Sequence, residues 1–324
     1  MAQPDNQRSW APVDDWLNGV DDCGNQPHGP SSSPTDQMDW LENYAGITCG
    51  AIKNDEADGF PKPLRDFLDP IKKGTLYYEG LFFASQRQEI RDYALATPRH
   101  REIFESFHMM DALFMKPADN MSDPVGLREY EQRLDPEFVG FILDQECECD
   151  SNSHPDESWN MMVNCPLMRR VVMGASRYLN TSDSDNPSVT VVPCTTARLI
   201  ANFKIHGALG YRMDFAIAIE PSRAAAKRID AKRKSMPEIS INHVDYRPLL
   251  KRPIAIPVRT AGDFIKAKVR LMVWFAAQWK KIDSMTDRPP GVLPGIIIWR
   301  NQWYLVASTR TDDGRTVRHF CILI

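Results

Sequence analysis

Two charged residues adjoin predicted buried strands, where they could bind a ligand. Asp214 opens the apolar segment Asp214–Ile219, and Arg259 directly follows the apolar segment Pro253–Val258. A guanidinium group pairs with phosphates and carboxylates through charge-assisted hydrogen bonds, and at short range it repels a divalent cation. A site that combines one carboxylate with an arginine therefore favours an anionic ligand over a metal ion.

A second group of charges forms a strongly basic segment between residues 223 and 234. Six of its twelve residues are lysine or arginine, namely Arg223, Lys227, Arg228, Lys232, Arg233 and Lys234. Two interpretations stay open: a solvated helix or loop, or an arm that follows the phosphates of RNA or DNA. Because the segment directly follows the Asp214 strand, we expect it to lie beside the anion-binding site of Asp214 and Arg259.

The charge of the whole chain is divided unequally between its two parts. Residues 1–189 carry 16 Lys+Arg and 33 Asp+Glu, a net charge of −17, and residues 190–324 carry 23 and 10, a net charge of +13. The two parts could pack together and neutralise each other. Alternatively, the basic part faces a polyanion such as nucleic acid.

The elements that must position these residues change in type along the chain. Residues 1–38 are rich in Pro, Ser, Asn and Gly, which predicts a disordered tail. Residues 39–150 carry apolar residues at helical spacing and predict a helical region. Residues 151–324 combine two helices with six strand-like segments. This order predicts an α/β (α+β) fold, in which a mixed sheet is flanked by helices.

Composition limits the remaining classes of function. The chain has 324 residues, seven cysteines and no apolar run long enough to span a membrane. Its first residues lack the apolar core of a secretory signal, so we expect a cytoplasmic protein without a membrane partner. The Cys-x-Cys pair within Glu146–His154 lacks zinc-site spacing, and no glycine-rich phosphate loop is present. We therefore predict no metal ion and no cofactor.

Seven short motifs follow one another after residue 155. They are Glu157–Asn160, Tyr211–Ile219, Ile241–Leu249, Arg252–Ile256, Ala267–Trp279, Leu293–Trp299 and Gln302–Val306. Their order and their residues resemble those of the PD-(D/E)XK nuclease-like proteins of filamentous fungi. In that family a helix glutamate, a strand aspartate and a Glu-x-Lys pair on the next strand would bind a divalent metal that activates water.

The resemblance implies a scaffold whose metal site has been altered. Glu157 matches the helix acid and Asp214 the strand acid, whereas Arg259 and Ala261 fall on the Glu-x-Lys positions. Arg270 falls where a glutamine usually lies on the following helix. In this fold Arg259 and Arg270 would converge on Asp214. They and Lys268 are the predicted substrate-binding residues of a phosphate or carboxylate pocket, and the alternative is a relic ion pair without function.

Three functions stay open. An active nuclease would need a displaced metal site, and a non-catalytic module would bind nucleic acid without cleaving it. The third is implied by resemblance to fungal arginine-containing cyclodipeptide synthases, which join aminoacyl groups from two charged tRNAs. In that function Asp214 or Glu157 would bind the arginyl guanidinium, and Glu157 or His243 would act as a general base. We favour the synthase, because decay more often leaves small neutral residues than two arginines.

Overall fold

The computed structural model describes residues 33–45, 47–51, 62–76, 82–83, 88, 92, 96, 114–115, 136–179, 188–205, 207–208, 212–299, 301–310 and 317–323. Within these ranges, no helix combines the length and the apolar character that crossing a membrane would require.

A seven-stranded mixed sheet lies at the centre of the fold. In chain order its strands are β1 (Ile47–Ala51), β4 (Ser188–Pro193), β6 (Phe215–Glu220), β8 (Ile254–Thr260), β9 (Leu293–Trp299), β10 (Gln302–Arg310) and β11 (Val317–Leu323). Across the sheet the order is β1-β11-β10-β9-β8-β6-β4. The pairs β1–β11 and β8–β9 are parallel, and the other pairs are antiparallel. The predicted mixed sheet is therefore confirmed.

Two small strand pairs and seven described α-helices complete the architecture. The strand pairs are β2 (Phe82–Phe83) with β3 (Phe114–Met115), and β5 (Arg198–Leu199) with β7 (Val244–Asp245). The helices are α1 (Pro34–Ala45), α2 (Lys62–Leu76), α3 (Pro136–Ser151), α4 (Asp156–Trp159), α5 (Cys165–Leu179), α6 (Arg223–Lys234) and α7 (Phe264–Asp283). A π-helix (Asn160–Asn164) joins α4 to α5, and short 3-10 helices span Ala201–Phe203 and Arg247–Leu249.

Helix α7 covers one face of the sheet and connects its parallel strands β8 and β9. It begins at an N-cap, where the Asp263 side chain accepts a hydrogen bond from the Lys266 backbone at 3.0 Å. Most of its residues are buried, which fits a helix enclosed on several sides. At Gly295 a Cβ atom would lie 2.6 Å from Phe275 Cζ, so the glycine allows the helix to approach the strand closely.

Helices α2 and α5 cover the opposite face. Met168 of α5 packs with Val258 and Ile298 in one cluster, and Leu64 of α2 packs with Leu305 in another. Successive strand residues point to opposite faces, so β8, β9 and β10 are buried on both sides. This explains why these strands read as nearly continuous apolar runs in the sequence.

The helical segment that passes the end of β8 changes its winding at Pro166. Proline has no N–H to donate, and its ring crowds the carbonyl four residues earlier. The chain widens into the π-helix Asn160–Asn164 directly before α5, and α5 continues through Pro166. Asn160 lies in this wider turn and donates to Thr260 Oγ1 at 2.8 Å. The irregular turn therefore places an amide at the end of β8.

The predicted domain boundaries differ from the structure at two places. Helix α1 begins at Pro34, so residues 34–38 are helical rather than part of a tail, and residues 1–32 lie outside the described part. Strand β1 falls inside the predicted helical region 39–150, yet it pairs with β11 in the sheet. Its partner lies 270 residues later in the chain, so local periodicity carries no trace of the pairing.

Candidate functional site

The centre of the site is the Asp214 carboxylate, at the start of β6. Both of its oxygens accept from Arg259 Nη1 at 2.8 Å. Its Oδ2 also accepts from the backbone N–H of Thr260 at 2.8 Å and from the Thr260 hydroxyl at 3.0 Å. Strands β6 and β8 are antiparallel, so the first residue before β6 meets the last residues of β8. The ladder register therefore positions this contact.

Burial sets the electrostatics of this pair. The side chains of Asp214 and Arg259 are only 11% and 13% exposed. Burial raises the pKa of the Asp214 carboxyl, and the nearby Asp156 adds to the increase. The Arg259 charge and the two Thr260 hydrogen bonds act in the opposite direction. Arg259 is thus the counter-ion that lets a buried carboxylate remain charged.

A second layer of polar groups surrounds Asp214. Thr260 Oγ1 accepts from Asn160, whose own Oδ1 accepts from Asn164 Nδ2 at 3.1 Å. Asp156 Oδ2 accepts from the Gly262 backbone at 3.2 Å. These contacts tie the α4 and π-helix segment to the end of β8, so the position of the carboxylates depends on both elements.

A cavity of about 350 Å³ lies beside this network, between the α3–α4 turn and the ends of β8 and β9. Its polar lining includes Asp150, Asp156, His154 and Asn164, and Trp159 supplies an aromatic surface. No lysine or arginine is among the lining residues in the described part of the chain. This cavity is therefore not the cationic phosphate pocket expected around Arg259 and Arg270, and it suits a ligand with a positive charge or hydrogen-bond donors.

The turn that presents His154 to the cavity is a helix-terminating motif. Ser153 has φ of 51°, in the left-handed region, and the His154 backbone donates to the Cys149 carbonyl at 2.9 Å. This is the pattern of a Schellman end, in which one left-handed residue turns the chain away from the helix. The Nδ1 atom of His154 is buried and has no hydrogen-bond partner among the residues that the structure describes.

The residues around Asp214 do not fit a divalent metal. Asp214 accepts four hydrogen bonds, one at Oδ1 and three at Oδ2, so its Oδ2 is fully occupied and its Oδ1 is partly occupied. A metal ion at Asp214 would lie next to the Arg259 guanidinium, whose charge opposes its approach. Ala261 supplies no donor, and among the described residues no three His, Cys, Asp or Glu side chains form a metal-binding group.

Two of the predicted catalytic residues lie away from this centre. Glu157 is exposed and does not line the cavity, whereas its neighbour Asp156 does. His243 is 1% exposed, and the edge of its ring contacts Trp274 at a centroid distance of 4.6 Å. Burial, together with the Lys281 charge, lowers the pKa of His243 to about 3. The catalytic role predicted for His243 is wrong, because the side chain is a neutral part of the core.

The predicted substrate-binding residues of α7 also lie outside the cavity lining. Arg270 is half-buried, and Lys268 lies with its Nζ 5.9 Å from the centre of the Phe264 ring. Their binding of a phosphate stays a prediction. Of the three predicted substrate-binding residues, Arg259, Arg270 and Lys268, only Arg259 has a recorded contact with Asp214 in the described part of the chain.

The basic segment forms helix α6, but at the other end of the sheet. Lys251 bonds Asp230 of α6 at 2.9 Å, and Arg252 pairs with Glu220 at 2.5 Å. Both cations directly precede β8, whose seven residues span about 20 Å before the site is reached. The expectation that the basic segment lies beside Asp214 is wrong. Strand β6 begins next to Asp214 and runs to the other end of the sheet, where α6 begins.

Five of the six basic residues of α6 are exposed. They are Arg223, Lys227, Arg228, Lys232 and Lys234. Arg233 differs, because its side chain is 16% exposed and bonds Asp230 at 3.1 Å and the Ile239 carbonyl at 2.5 Å. The nucleic-acid contact predicted for Arg233 stays a prediction, although its guanidinium is engaged within the protein. This residue attaches α6 to the following loop, and the other five cations face solvent.

Comparison with known proteins assigns the chain to a family. The sequence model of the PD-(D/E)XK nuclease superfamily matches residues 101–322, about two-thirds of the chain. The protein therefore belongs to the PD-(D/E)XK nuclease superfamily. No curated protein and no solved structure matches it.

Sequence reasoning missed four residues of the site, namely Asp156, Asn160, Thr260 and His154. A carboxylate at the first position of a helix, next to the matched Glu157, was a usable signal for Asp156. Asn160 also stood within a matched motif. The roles of His154 and Thr260 depend on a turn and on strand register, which local sequence does not specify.

Proposed function

We propose that this protein binds nucleic acid and does not hydrolyse it by the metal-dependent reaction of its superfamily. The observation that carries the proposal is the buried Asp214–Arg259 pair, in which Arg259 Nη1 bonds both carboxylate oxygens at 2.8 Å. An arginine in this place neutralises the charge that would attract a metal ion. The scaffold remains, while the condition for metal-assisted water attack does not.

Exposed positive charge supports nucleic acid as the partner. Five cations of α6 face solvent, and the surrounding part of the sequence, residues 190–324, has a net charge of +13. Such a surface gives affinity through release of counter-ions from the phosphate backbone, so binding weakens steeply with salt. The acidic cavity lies about 20 Å away and does not oppose phosphates at α6.

The test measures binding and cleavage in the same samples. Purified protein is mixed with labelled tRNA and with labelled DNA at several salt and Mg²⁺ concentrations. Binding is followed by fluorescence anisotropy and strand breakage by denaturing gel. We expect salt-sensitive binding and intact strands. Cleavage that requires Mg²⁺ and disappears in Asp214→Asn would contradict the proposal.

A second candidate function is aminoacyl-tRNA-dependent synthesis of an arginine-containing cyclic dipeptide, and the acidic cavity favours it. A volume of about 350 Å³ is within the range of small-ligand sites. Asp150 and Asp156 could accept a guanidinium, and Trp159 could stack on it. Asp214 is not available for that role, since Arg259 occupies it.

In this candidate function the chemistry is transfer of an aminoacyl group. The amine of one aminoacyl-tRNA attacks the ester carbonyl of the other, forming an amide bond while the tRNA 3′ oxygen leaves as a hydroxyl. The second amine then closes the ring and releases the second tRNA. His154, on the cavity, replaces His243 as the candidate base that accepts the amine proton.

Mass spectrometry of bacterial cultures that express the protein tests this candidate, because bacteria supply every charged tRNA. The informative variant is Asp156→Asn, which removes a cavity carboxylate. Its matched control is Glu157→Gln, which changes an exposed neighbour. A cyclic dipeptide in wild type and control, but not in Asp156→Asn, would support the synthase. No new product in any culture would leave only the binding function.

A further inference from the structure

We propose that helix α6 recognises double-stranded RNA by lying along a groove, with one row of cations facing each bordering strand. This inference rests on the proposed nucleic-acid binding and specifies its partner. It derives from how the exposed side chains are distributed around the helix. It concerns a surface that is separate from the Asp214 site.

The exposed half of α6 carries two rows of positive charge. Successive residues of an α-helix are rotated by about 100°. On that basis Arg223, Lys227 and Lys234 lie within about 40° of each other and form the first row. Arg228 and Lys232 form the second row, about 140° from the first. At the surface of the helix this angle separates the rows by about 10 Å.

Only small residues lie between the two rows. Ala224 and Ala231 are exposed and project midway between them. Methyl groups let a partner approach the helix closely, whereas a long side chain would hold it away. The exposed face therefore matches a partner that has two lines of negative charge with a less charged surface between them. The two phosphate strands that border a groove have this arrangement.

The opposite half of α6 attaches the helix to the protein. Ala225, Ala226, Ile229 and Asp230 are half-buried, and Arg233 and Lys251 both bond Asp230. Only about half of the helix diameter, roughly 5–6 Å, can enter a groove. The major groove of B-form DNA is deeper than this, whereas the minor groove of A-form RNA is wide and shallow. The exposed half of α6 is therefore deep enough to fill the shallow RNA groove, and its lysines, arginines and alanines do not need the base edges that the major groove of DNA presents.

The chemistry of the exposed face points to recognition of shape rather than sequence. Its side chains are lysines, arginines and alanines, and it carries no asparagine or glutamine that could read a base edge. Contacts with phosphates and 2′-hydroxyls are the usual means by which proteins bind duplex RNA. We expect affinity to depend weakly on base sequence and strongly on salt.

The experiment compares four probes with the full-length protein. They are an RNA duplex of about 16 base pairs, one of its single strands, the DNA duplex of the same sequence, and a duplex of shuffled sequence. Fluorescence anisotropy at several salt concentrations gives the affinity and its salt dependence. We expect the RNA duplexes to bind equally well, and at least about tenfold more tightly than the single strand or DNA.

Variants test the two rows separately. The first-row variant combines Arg223→Gln, Lys227→Gln and Lys234→Gln, and the second-row variant combines Arg228→Gln with Lys232→Gln. Each should reduce duplex RNA affinity by about tenfold or more and reduce the salt slope by about two to three units. The control Arg65→Gln with Lys266→Gln removes two exposed cations elsewhere, as many as the second-row variant removes, and should alter affinity less than about twofold.

Each outcome separates this inference from the proposed function. Equal or tighter binding of the single strand, tighter binding of DNA, or loss in only one row would refute the groove geometry and leave nucleic-acid binding intact. Absence of binding to every probe would refute both. Circular dichroism melting confirms that the variants are folded, since the exposed substitutions should leave the melting temperature unchanged.

Discussion

Replacing Arg259 by methionine is the most direct perturbation of the site. The substitution keeps much of the side-chain volume and leaves Asp214 buried without its counter-ion. Removing one partner of a buried ion pair usually costs about 3–5 kcal/mol. The lost hydrogen bonding alone accounts for about 1.5–3 kcal/mol of this, because both carboxylate oxygens share the single donor nitrogen Arg259 Nη1.

The loss should depend on pH in a defined direction. Burial already raises the pKa of Asp214, and without Arg259 this pKa rises further. A carboxyl whose folded-state pKa exceeds its unfolded-state pKa binds a proton more tightly when the protein is folded. Its contribution to stability is therefore lost as pH rises through the folded pKa and returns on acidification. The stability gap between wild type and Arg259→Met should shrink from pH 7.5 towards pH 5.

Urea unfolding at several pH values measures this gap, with Arg65→Met as the control for loss of an exposed arginine. The double variant Asp214→Asn/Arg259→Met completes the cycle, and it should be more stable than the sum of the single effects predicts. A loss below about 1 kcal/mol, no coupling within the cycle, or a gap that is constant with pH would each refute this view of the pair.

Three further outcomes are expected. The pKa of His243 is about 3 in the folded protein, so between pH 6.5 and 3 the unfolded chain binds a proton that the folded protein does not. As the pH falls through this range, the free energy of unfolding of wild type should therefore decrease by up to about 1.4 kcal/mol per pH unit. Urea unfolding should show a smaller decrease in His243→Asn. Gly295→Ala should cost about 1–3 kcal/mol in the same assay, since the new Cβ would overlap Phe275, and Phe275→Leu should relieve part of it. Arg259→Glu should make the melting temperature rise with millimolar Mg²⁺, unlike wild type, whereas no Mg²⁺ response would mean that Arg259 is not what opposes a metal there.

Sequence predicted the central strands and α7 well because these elements carry strong local signals. The strands around Val258 and Ile297 are buried on both faces, so they appear as uninterrupted apolar runs bounded by turn residues. Strand β1 gave no such signal, since its pairing with β11 depends on residues far away in the chain. Strand β1 also lies within a region that was predicted to be helical, so it was not predicted as a strand.

The site was predicted in part, and the errors share one cause. Asp214 and Arg259 were found because each adjoins a recognisable strand. The chosen helix acid was off by one residue, Glu157 instead of Asp156, which on a helix is a rotation of about 100°. His243 was misplaced because sequence does not reveal burial of a single polar residue. Direct succession along the chain was also mistaken for closeness, although α6 follows the full length of β6.

The parallel pairing of β1 with β11 has a consequence for biosynthesis. Val317 is translated 270 residues after its partner Ile47. At about 5–20 residues per second, β1 waits roughly 15–55 s for the strand that completes its hydrogen bonds. During that interval the nascent chain exposes an unpaired edge, which is a site for aggregation or for capture by a chaperone. Folding yield in cells should therefore be more sensitive to translation speed than the stability of the finished protein would suggest.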